Sequence, residues 1–204
     1  MTGYHEFVFD ENNRQFVGKF EEMYKAELSD NFDSWGQDNQ DRLDLQITAA
    51  LIESVNPVSI IDIGCGKGLL TSRLAGAGRR ILGTDVSSTA LSIAAERCPA
   101  ANFDVLPDSS TSSLITYLQK NQLNGRVDLV VMAQVLSYID NWQELIRVVF
   151  TVAKNLCISL YLPENPIGFV KTWGELNDVV SRNSTVKSSL WDSTNRTGYL
   201  LATQ

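Results

Sequence analysis

The feature that most constrains the fold is a short apolar run that leads directly into three glycines. The run covers Val58 to Ile63 and contains one acid, Asp62, and the glycines stand at positions 64, 66 and 68. A continuous apolar run of this length is typical of a strand buried on both faces of a parallel sheet. Glycine allows the backbone to turn sharply and to approach a ligand closely. The pattern predicts a buried strand, a tight loop, and a ligand site at the carboxyl edge of a sheet.

The chain after this loop alternates between helix and strand patterns, which is typical of an α/β sheet with helices on both faces. After Pro163, a predicted helix over Phe169–Val180 precedes a predicted antiparallel strand pair, Thr185–Trp191 and Gly198–Thr203. The other predicted strands are Arg80–Thr84, Asn102–Leu106, Val127–Met132 and Cys157–Leu162. The predicted helices between them are Leu69–Ala75, a helix capped by Ser87 or Ser88 that runs to Arg97, Leu114–Leu123, and Trp142–Lys154.

The first 40 residues are rich in aromatic side chains and come before the predicted sheet. Apolar residues recur at helical spacing within Arg14–Leu28 and again within Asp41–Val55. In the first of these stretches, the apolar face consists of Phe16, Phe20, Met23 and Tyr24. A polar, turn-like stretch that contains Trp35 separates the two. We predict one globular domain, in which residues 1–40 form a helical lid and residues 41–204 bind the ligand.

Composition argues against several classes of function. The net charge is −7, whereas a nucleic-acid-binding domain needs a basic surface that neutralises phosphates. The single histidine and the three cysteines without close spacing argue against a zinc or redox-cysteine site. No apolar run approaches the roughly 20 residues that span a bilayer, and no secretory signal is recognisable. The sequence predicts a cytoplasmic protein without a metal, nucleic-acid or membrane partner.

A second acid favours an adenosine-containing ligand at the glycine loop. Asp85 ends the next predicted strand, 21 positions after Gly64. A carboxylate in this place can accept hydrogen bonds from both hydroxyls of a ribose. A dinucleotide site requires a glycine where Leu69 stands, so the pattern disfavours an NAD-dependent oxidoreductase.

Four segments together resemble the class I methyltransferases that use S-adenosylmethionine (SAM). They are IDIGCGKG, GTDVS, FDVLPD and VDLVVMAQVLSYI, which begin at positions 61, 83, 103 and 127. The resemblance covers residues 43 to 162 in order and spacing. It implies a Rossmann-like α/β fold with a seven-stranded, mostly parallel sheet, helices on both faces and a C-terminal antiparallel strand pair. It also implies SAM as the cofactor, and it is much less specific for the methyl acceptor.

The resemblance implies roles for the residues around the glycine loop. Gly64, Cys65 and Gly66 are expected to face the methionine end of SAM. Asp62 is expected to hold the amino group of SAM directly or through water. Asp85 is expected to bind the ribose hydroxyls.

Further positions are implied at the adenine and at the sulfonium. Val86 is expected to pack on the adenine, and Asp108 to bind its amino group, with Pro107 alongside. Gln134 is expected to line the sulfonium side. Members of the family usually carry a histidine near position 138, whereas this chain has Tyr138, which becomes the candidate catalytic residue.

The chemistry of methyl transfer leaves the general base open. A sulfonium is already an activated leaving group, so alignment of the nucleophile with the methyl group does most of the work. An unactivated hydroxyl usually requires a general base, and the scarcity of histidine favours an amine or an already acidic atom as acceptor. The candidate bases are Tyr138, Asp33, Asp140, Glu164 and His5.

The expected acceptor is a small molecule of natural-product or carbohydrate type, methylated on nitrogen or oxygen. Trp35, in the polar stretch, is the predicted substrate contact. No motif of the N-P-P-Y kind follows the fourth strand, where methyltransferases that act on bases or protein glutamine carry one. The alternatives are a non-catalytic SAM-binding protein and a methyltransferase that acts on protein or RNA.

Overall fold

An aromatic N-terminal segment (residues 4–42) precedes the sheet in the computed structural model, which describes residues 4–30, 32–76, 78–121 and 126–204. A one-turn helix leads into a two-stranded hairpin, and a longer helix follows the hairpin. These elements are α1 (His5–Val8), β1 (Phe9–Asp10), β2 (Gln15–Phe16) and α2 (Phe20–Asp30).

The segment differs from the single helix predicted over Arg14–Leu28, because Phe16 belongs to the hairpin and α2 begins four residues later. Asp10 accepts hydrogen bonds from the backbone and side-chain nitrogens of Asn13 at 3.0 and 2.8 Å, which close the hairpin turn. Gly18 has a left-handed φ of 69°, a conformation that does not continue a right-handed helix. The helical spacing of the aromatic residues therefore does not extend the helix through this glycine.

The rest of the chain alternates strands and helices, as predicted. The elements in chain order are α3 (Leu43–Glu53), β3 (Ser59–Ile63), α4 (Leu69–Leu74), β4 (Arg80–Asp85), α5 (Ser88–Arg97), β5 (Asn102–Val105), α6 (Thr111–Lys120), β6 (Val127–Ala133), α7 (Trp142–Val152), β7 (Ala153–Tyr161), α8 (Trp173–Asn183), β8 (Thr185–Asp192) and β9 (Thr197–Thr203). Short 3₁₀ turns lie at Ser34–Gly36 and Leu136–Tyr138.

Seven strands form one sheet in the order β5-β4-β3-β6-β7-β9-β8. All neighbours are parallel except β9, which pairs antiparallel with both β7 and β8. This confirms the predicted seven-stranded, mostly parallel sheet with its C-terminal antiparallel pair. The strand order reverses between β3 and β6, and crevices at such a reversal are where open α/β sheets bind ligands. The glycine loop leaves β3 at this point.

The two faces of the sheet are each covered by helices. In β6, Val130 and Met132 are buried in a core shared with α6, α7 and α8. Leu129 and Val131 point to the other face and are buried with residues of α3 and α4. Burial on both sides explains why the strand reads as a continuous apolar run.

Several helix ends differ from the predicted ones. The helix predicted over Trp142–Lys154 ends at Val152, because the backbone becomes extended at Ala153 and starts β7. The helix predicted from Phe169 begins later, where the Thr172 side chain accepts a hydrogen bond from a backbone N–H of the first turn, 3.1 Å away. The end of the helix predicted over Leu114–Leu123 lies outside the described residues. Among the described residues, no helix has the length and hydropathy needed to cross a bilayer.

Candidate active site

The loop between β3 and α4 depends on glycine at three positions. Gly64, Gly66 and Gly68 have φ values of 68°, 54° and 73°, a left-handed region that other residues rarely adopt. A Cβ on Gly64 would lie 2.5 Å from a methyl group of Val135, and one on Gly68 would lie 2.8 Å from the Cβ of Ala94. The loop therefore needs glycine both for its backbone conformation and for its close packing.

Asp85 lies at the carboxyl end of β4 and contacts the glycine loop directly. One of its carboxylate oxygens accepts a hydrogen bond from the backbone N–H of Gly66, and the other accepts one from Ser87, each at 2.9 Å. Each oxygen retains a second lone pair, so these contacts leave acceptor capacity for a ligand. The residue is 8% exposed and lines the cavity described below.

Asp62, in β3, is a second buried carboxyl group on the same side of the sheet. Its one protein contact at hydrogen-bond distance among the described residues is the Thr71 hydroxyl, which donates to it at 2.7 Å. Burial raises the pKa of Asp62 to about 7, and nearby Asp85 adds to the rise. Burial likewise raises the pKa of Asp85. Two buried carboxyl groups of this kind favour a ligand that brings a cation or hydroxyl donors.

A cavity of about 930 Å³ opens at the carboxyl edge of the sheet, beside the glycine loop. Most of the predicted site residues line it. They are Trp35, Asp62, Gly64, Cys65, Gly66, Asp85, Val86, Gln134 and Tyr138. Cys65 is buried, and burial raises the pKa of its thiol, which fits a small residue in a turn rather than a nucleophile.

Pro107 and Asp108 lie differently, because both are exposed and neither lines the cavity. Their neighbours Leu106 and Ser109 line it instead. The Asp108 carboxylate accepts a hydrogen bond from the backbone N–H of Ser110 at 2.8 Å. This contact supports the loop that leads into α6.

Gln134 has a left-handed φ of 61° and joins the ends of two strands. Its N–H donates to the carbonyl of Ser159, and its side-chain carbonyl accepts from the N–H of Tyr161, both at 2.7 Å. The residue therefore holds the edge of β7 as well as lining the cavity.

Tyr138 and Trp35 belong to an aromatic group on the cavity wall. The Tyr138 ring stacks on Phe16 at 5.9 Å, packs against Phe20 at 5.3 Å, and lies 6.3 Å from Trp35. Burial raises the pKa of Tyr138, so the residue stays a neutral phenol at physiological pH. It can donate a hydrogen bond, but it is poorly suited to remove a proton.

The other candidate bases have different surroundings. Asp140 accepts hydrogen bonds from the start of α6, and Glu164 is an exposed partner of Arg196. Neither lines the cavity. His5 does line it, and its Nδ1 lies 3.7 Å from a carboxylate oxygen of Glu11.

Sequence reasoning missed the contacts that the N-terminal segment makes with the glycine loop. The ammonium of Lys67, within the loop, lies among the carboxylates of Glu27, Asp33 and Asp38 at 2.5, 3.0 and 3.0 Å. These three carboxylates are close enough to one another to hold a cation, and the ammonium fills that place. No local sequence pattern connects a lysine with acids 29 to 40 positions earlier.

Residues 61–156 match the family described as "Methyltransferase domain". No protein among the curated sequences matches the chain.

Solved structures share the fold at low sequence identity. Magnesium protoporphyrin IX methyltransferase from Synechocystis, with bound SAM, is 17% identical at a TM-score of 0.63, over 98% of this chain and 94% of that one. The N-methyltransferase NodS from Bradyrhizobium japonicum is 15% identical at 0.65, over 81% and 96%. The [4+2]-cyclase SpnF is 14% identical at 0.63, over 78% and 80%. At these identities the likeness concerns the fold.

Proposed function

We propose that this chain, which carries a class I SAM-dependent methyltransferase domain, transfers the methyl group to a nitrogen or oxygen atom of a small-molecule acceptor of natural-product or carbohydrate type. The observation that supports this most is the cavity of about 930 Å³ between the glycine loop and the aromatic N-terminal segment. Small-ligand pockets span roughly 300–1,000 Å³, so the cavity has room for an acceptor beside the cofactor.

The residues at the inner end of the cavity fit SAM. The glycine loop offers a side-chain-free surface, and Gly64, Cys65 and Gly66 face the methionine end in this proposal. Asp62 pairs with the cationic amino group of SAM, because a buried carboxyl group gains most from a nearby cation. Asp85 accepts from the ribose hydroxyls through the lone pairs that Gly66 and Ser87 leave free.

Residues are assigned to the adenine and to the sulfonium of SAM from their positions in the chain. Val86 packs on the adenine, and Gln134 lines the sulfonium side. For Asp108 and Pro107, the proposed adenine contact would require the loop before α6 to move, since both residues face solvent here. Leu106 and Ser109 stand nearer to that role, because they line the cavity.

SAM supplies a methyl group on a sulfonium, so the protein mainly has to align the acceptor and exclude water. Residues 1–40 act as a lid on residues 41–204 in this proposal, and Trp35 and the phenol of Tyr138 contact the acceptor. A hydroxyl acceptor would in addition need a base. His5 with Glu11 is the pair of side chains on the cavity wall best suited to that task.

One relative by fold supports a small-molecule acceptor, because its name describes a methyltransferase that acts on a porphyrin. A second supports nitrogen as the methylated atom, because its name describes an N-methyltransferase. A second candidate function is a SAM-binding protein that catalyses no methyl transfer. The similarity to SpnF favours this candidate, because the name of SpnF describes a [4+2]-cyclase and not a methyltransferase. A methyltransferase that acts on protein or RNA is disfavoured by the net charge of −7.

The assignment of the ribose contact is tested by Asp85→Asn, which preserves the shape of the side chain. Hydrogen bonds to a charged acceptor contribute roughly 1.5–3 kcal/mol, so we expect affinity for S-adenosylhomocysteine to fall by about 10- to 100-fold. Calorimetry measures this, and circular dichroism checks the fold. Asp104→Asn, at an exposed aspartate of β5 outside the cavity wall, is the matched control, and we expect it to change the affinity by less than about threefold. Equal affinity of Asp85→Asn and wild-type protein would show the ribose assignment to be wrong.

The small-molecule acceptor is tested with SAM labelled in its methyl group. The protein is incubated with a panel of amines, phenols, sugars, peptides and RNA, and labelled products are separated. Transfer to a small amine or hydroxyl compound supports the proposal. Transfer to peptide or RNA alone would contradict it, and tight cofactor binding without any labelled product would favour the non-catalytic candidate.

A further inference from the structure

We infer that Lys67 is a positioning residue that couples the N-terminal segment to the glycine loop, so that SAM affinity depends on contacts made by residues 20–42. The inference deepens the proposed function, on which it rests for the identity of the cofactor. The coupling itself is a property of the protein alone and is argued from three separate sets of contacts.

The first set is an ionic cluster, defined as Lys67 with Glu27, Asp33 and Asp38, in which Lys67 and Glu27 are buried. Lys67 is 3% exposed and comes from the glycine loop, whereas all three carboxylates come from the N-terminal segment. Burial disfavours the charged ammonium, but the hydrogen bonds of the three acids outweigh it, so the pKa of Lys67 lies above its usual value. A buried charge that loses its partners is strongly unfavourable. The ammonium of Lys67 therefore ties the loop to the segment.

The second set involves Gln37 and the backbone of the loop. The side-chain carbonyl of Gln37 accepts a hydrogen bond from the N–H of Lys67 at 2.7 Å, and its amide donates to the Tyr24 hydroxyl at 2.8 Å. The same two side chains fill the space next to Gly66. A Cβ there would lie against the Gln37 carbonyl and 2.7 Å from the Tyr24 hydroxyl. The segment thus packs on the loop at the residue whose N–H binds Asp85.

The third set fixes the segment at both ends of α5, the helix that follows β4. At the start of this helix, Glu21 accepts hydrogen bonds from the hydroxyls of Ser87 and Thr89 at 2.6 and 2.8 Å. At its end, Arg97 donates to the Asp38 carboxylate at 2.7 Å. Asp38 is therefore shared between this contact and the ionic cluster.

Because of these contacts, the glycine loop and the N-terminal segment become ordered together. Residues 33–38 carry two of the cluster's acids and Gln37, and they also carry Trp35, the proposed acceptor contact. A cofactor that stabilises the loop should consequently stabilise the wall of the acceptor site. By reciprocity, the factor by which the cofactor favours the ordered segment is also the factor by which the ordered segment favours cofactor binding. Loss of that order should therefore weaken binding.

The test is the double variant Asp33→Asn/Asp38→Asn, studied by amide hydrogen exchange and by calorimetry with S-adenosylhomocysteine. The two side chains are 29% and 59% exposed, and Lys67 retains its buried partner Glu27, so we expect the protein to fold. We expect faster exchange in residues 32–42 and also in residues 64–68. Affinity should fall by at least about fivefold, the lower end of ordinary coupling between sites.

Lys67→Met is the second variant, and it should shift both measurements further in the same direction if it folds. The matched control is Glu53→Gln, which breaks an exposed pair with Arg79 at the amino end of β4 and should change neither. Faster exchange confined to residues 32–42, with residues 64–68 and the affinity unchanged, would overturn the inference. Failure of wild-type protein to bind S-adenosylhomocysteine would instead contradict the proposed function, and the exchange comparison would still decide the coupling.

Discussion

The glycine loop and the N-terminal segment form adjoining walls of one cavity, and they hold their shapes by different means. The loop is shaped by backbone conformation, with left-handed φ at Gly64, Gly66 and Gly68 and a backbone bond to Asp85. The segment is held mainly by side chains, through the ionic cluster around Lys67 and the aromatic contacts of Trp35 and Tyr138. The glycine loop therefore tolerates few substitutions. The N-terminal segment can be destabilised gradually, by removing one side-chain contact at a time.

The largest expected effect comes from placing a methyl group where the two walls touch. Gly66→Ala adds a Cβ that collides with Gln37 and Tyr24, and it forces alanine into a left-handed conformation that costs about 1–2 kcal/mol. The collision displaces the loop from its place beside the cofactor, and we expect affinity for S-adenosylhomocysteine to fall by about 100-fold, equivalent to about 2.8 kcal/mol. Calorimetry and thermal unfolding measure the two effects.

Gly78→Ala separates the two causes. Gly78 has a φ of 85°, but a Cβ there would meet nothing within 4 Å, so this variant has the backbone cost without the collision. We expect a smaller loss of thermal stability than for Gly66→Ala, and unchanged affinity. If Gly66→Ala also kept wild-type affinity, the close contact between loop and segment would have no part in cofactor binding.

The difference between the walls also explains what the sequence can predict. The strand–glycine–helix pattern and Asp85 can be recognised locally, because a buried strand, a turn and a strand end each restrict the residue types at adjacent positions. The ionic cluster has no local sequence pattern, since Lys67 pairs with acids that are far away along the chain. The N-terminal helix was misplaced for a similar reason, because the hairpin turn at Asp10 and the bend at Gly18 interrupt a spacing that fits a helix.

A smaller effect is expected from pH, through Asp62 in β3, just before the glycine loop. Burial raises its pKa from 3.8 to about 7, so its contribution to folding stability is complete below about pH 4 and is lost as the pH rises through 7. Binding should show the opposite sign, because the amino group of SAM favours the carboxylate. We expect affinity for S-adenosylhomocysteine to fall by up to about tenfold per pH unit below pH 7, as measured by calorimetry between pH 5.5 and 7.5.

Asp62→Asn is the control for this pH dependence, because it removes the titrating group and keeps the contact with Thr71. The variant should bind more weakly at pH 7.5 and show a flatter profile. A wild-type profile that stays flat between pH 5.5 and 7.5 would contradict the pairing of Asp62 with the amino group.

The smallest effect on the cofactor is expected from Trp35→Ala, which loosens the N-terminal segment without touching the ionic cluster. Its ring packs against Tyr4 and Tyr24 at 5.2 and 6.0 Å and lines the cavity. We expect KM for the acceptor found in the panel to rise by about tenfold or more, while affinity for S-adenosylhomocysteine changes by less than about threefold. Trp191→Ala, at a partly exposed tryptophan of β8 outside the cavity wall, should change neither. Equal losses for acceptor and cofactor would mean that Trp35 serves the coupling between the walls rather than the acceptor, because its own loop carries Asp33 and Asp38.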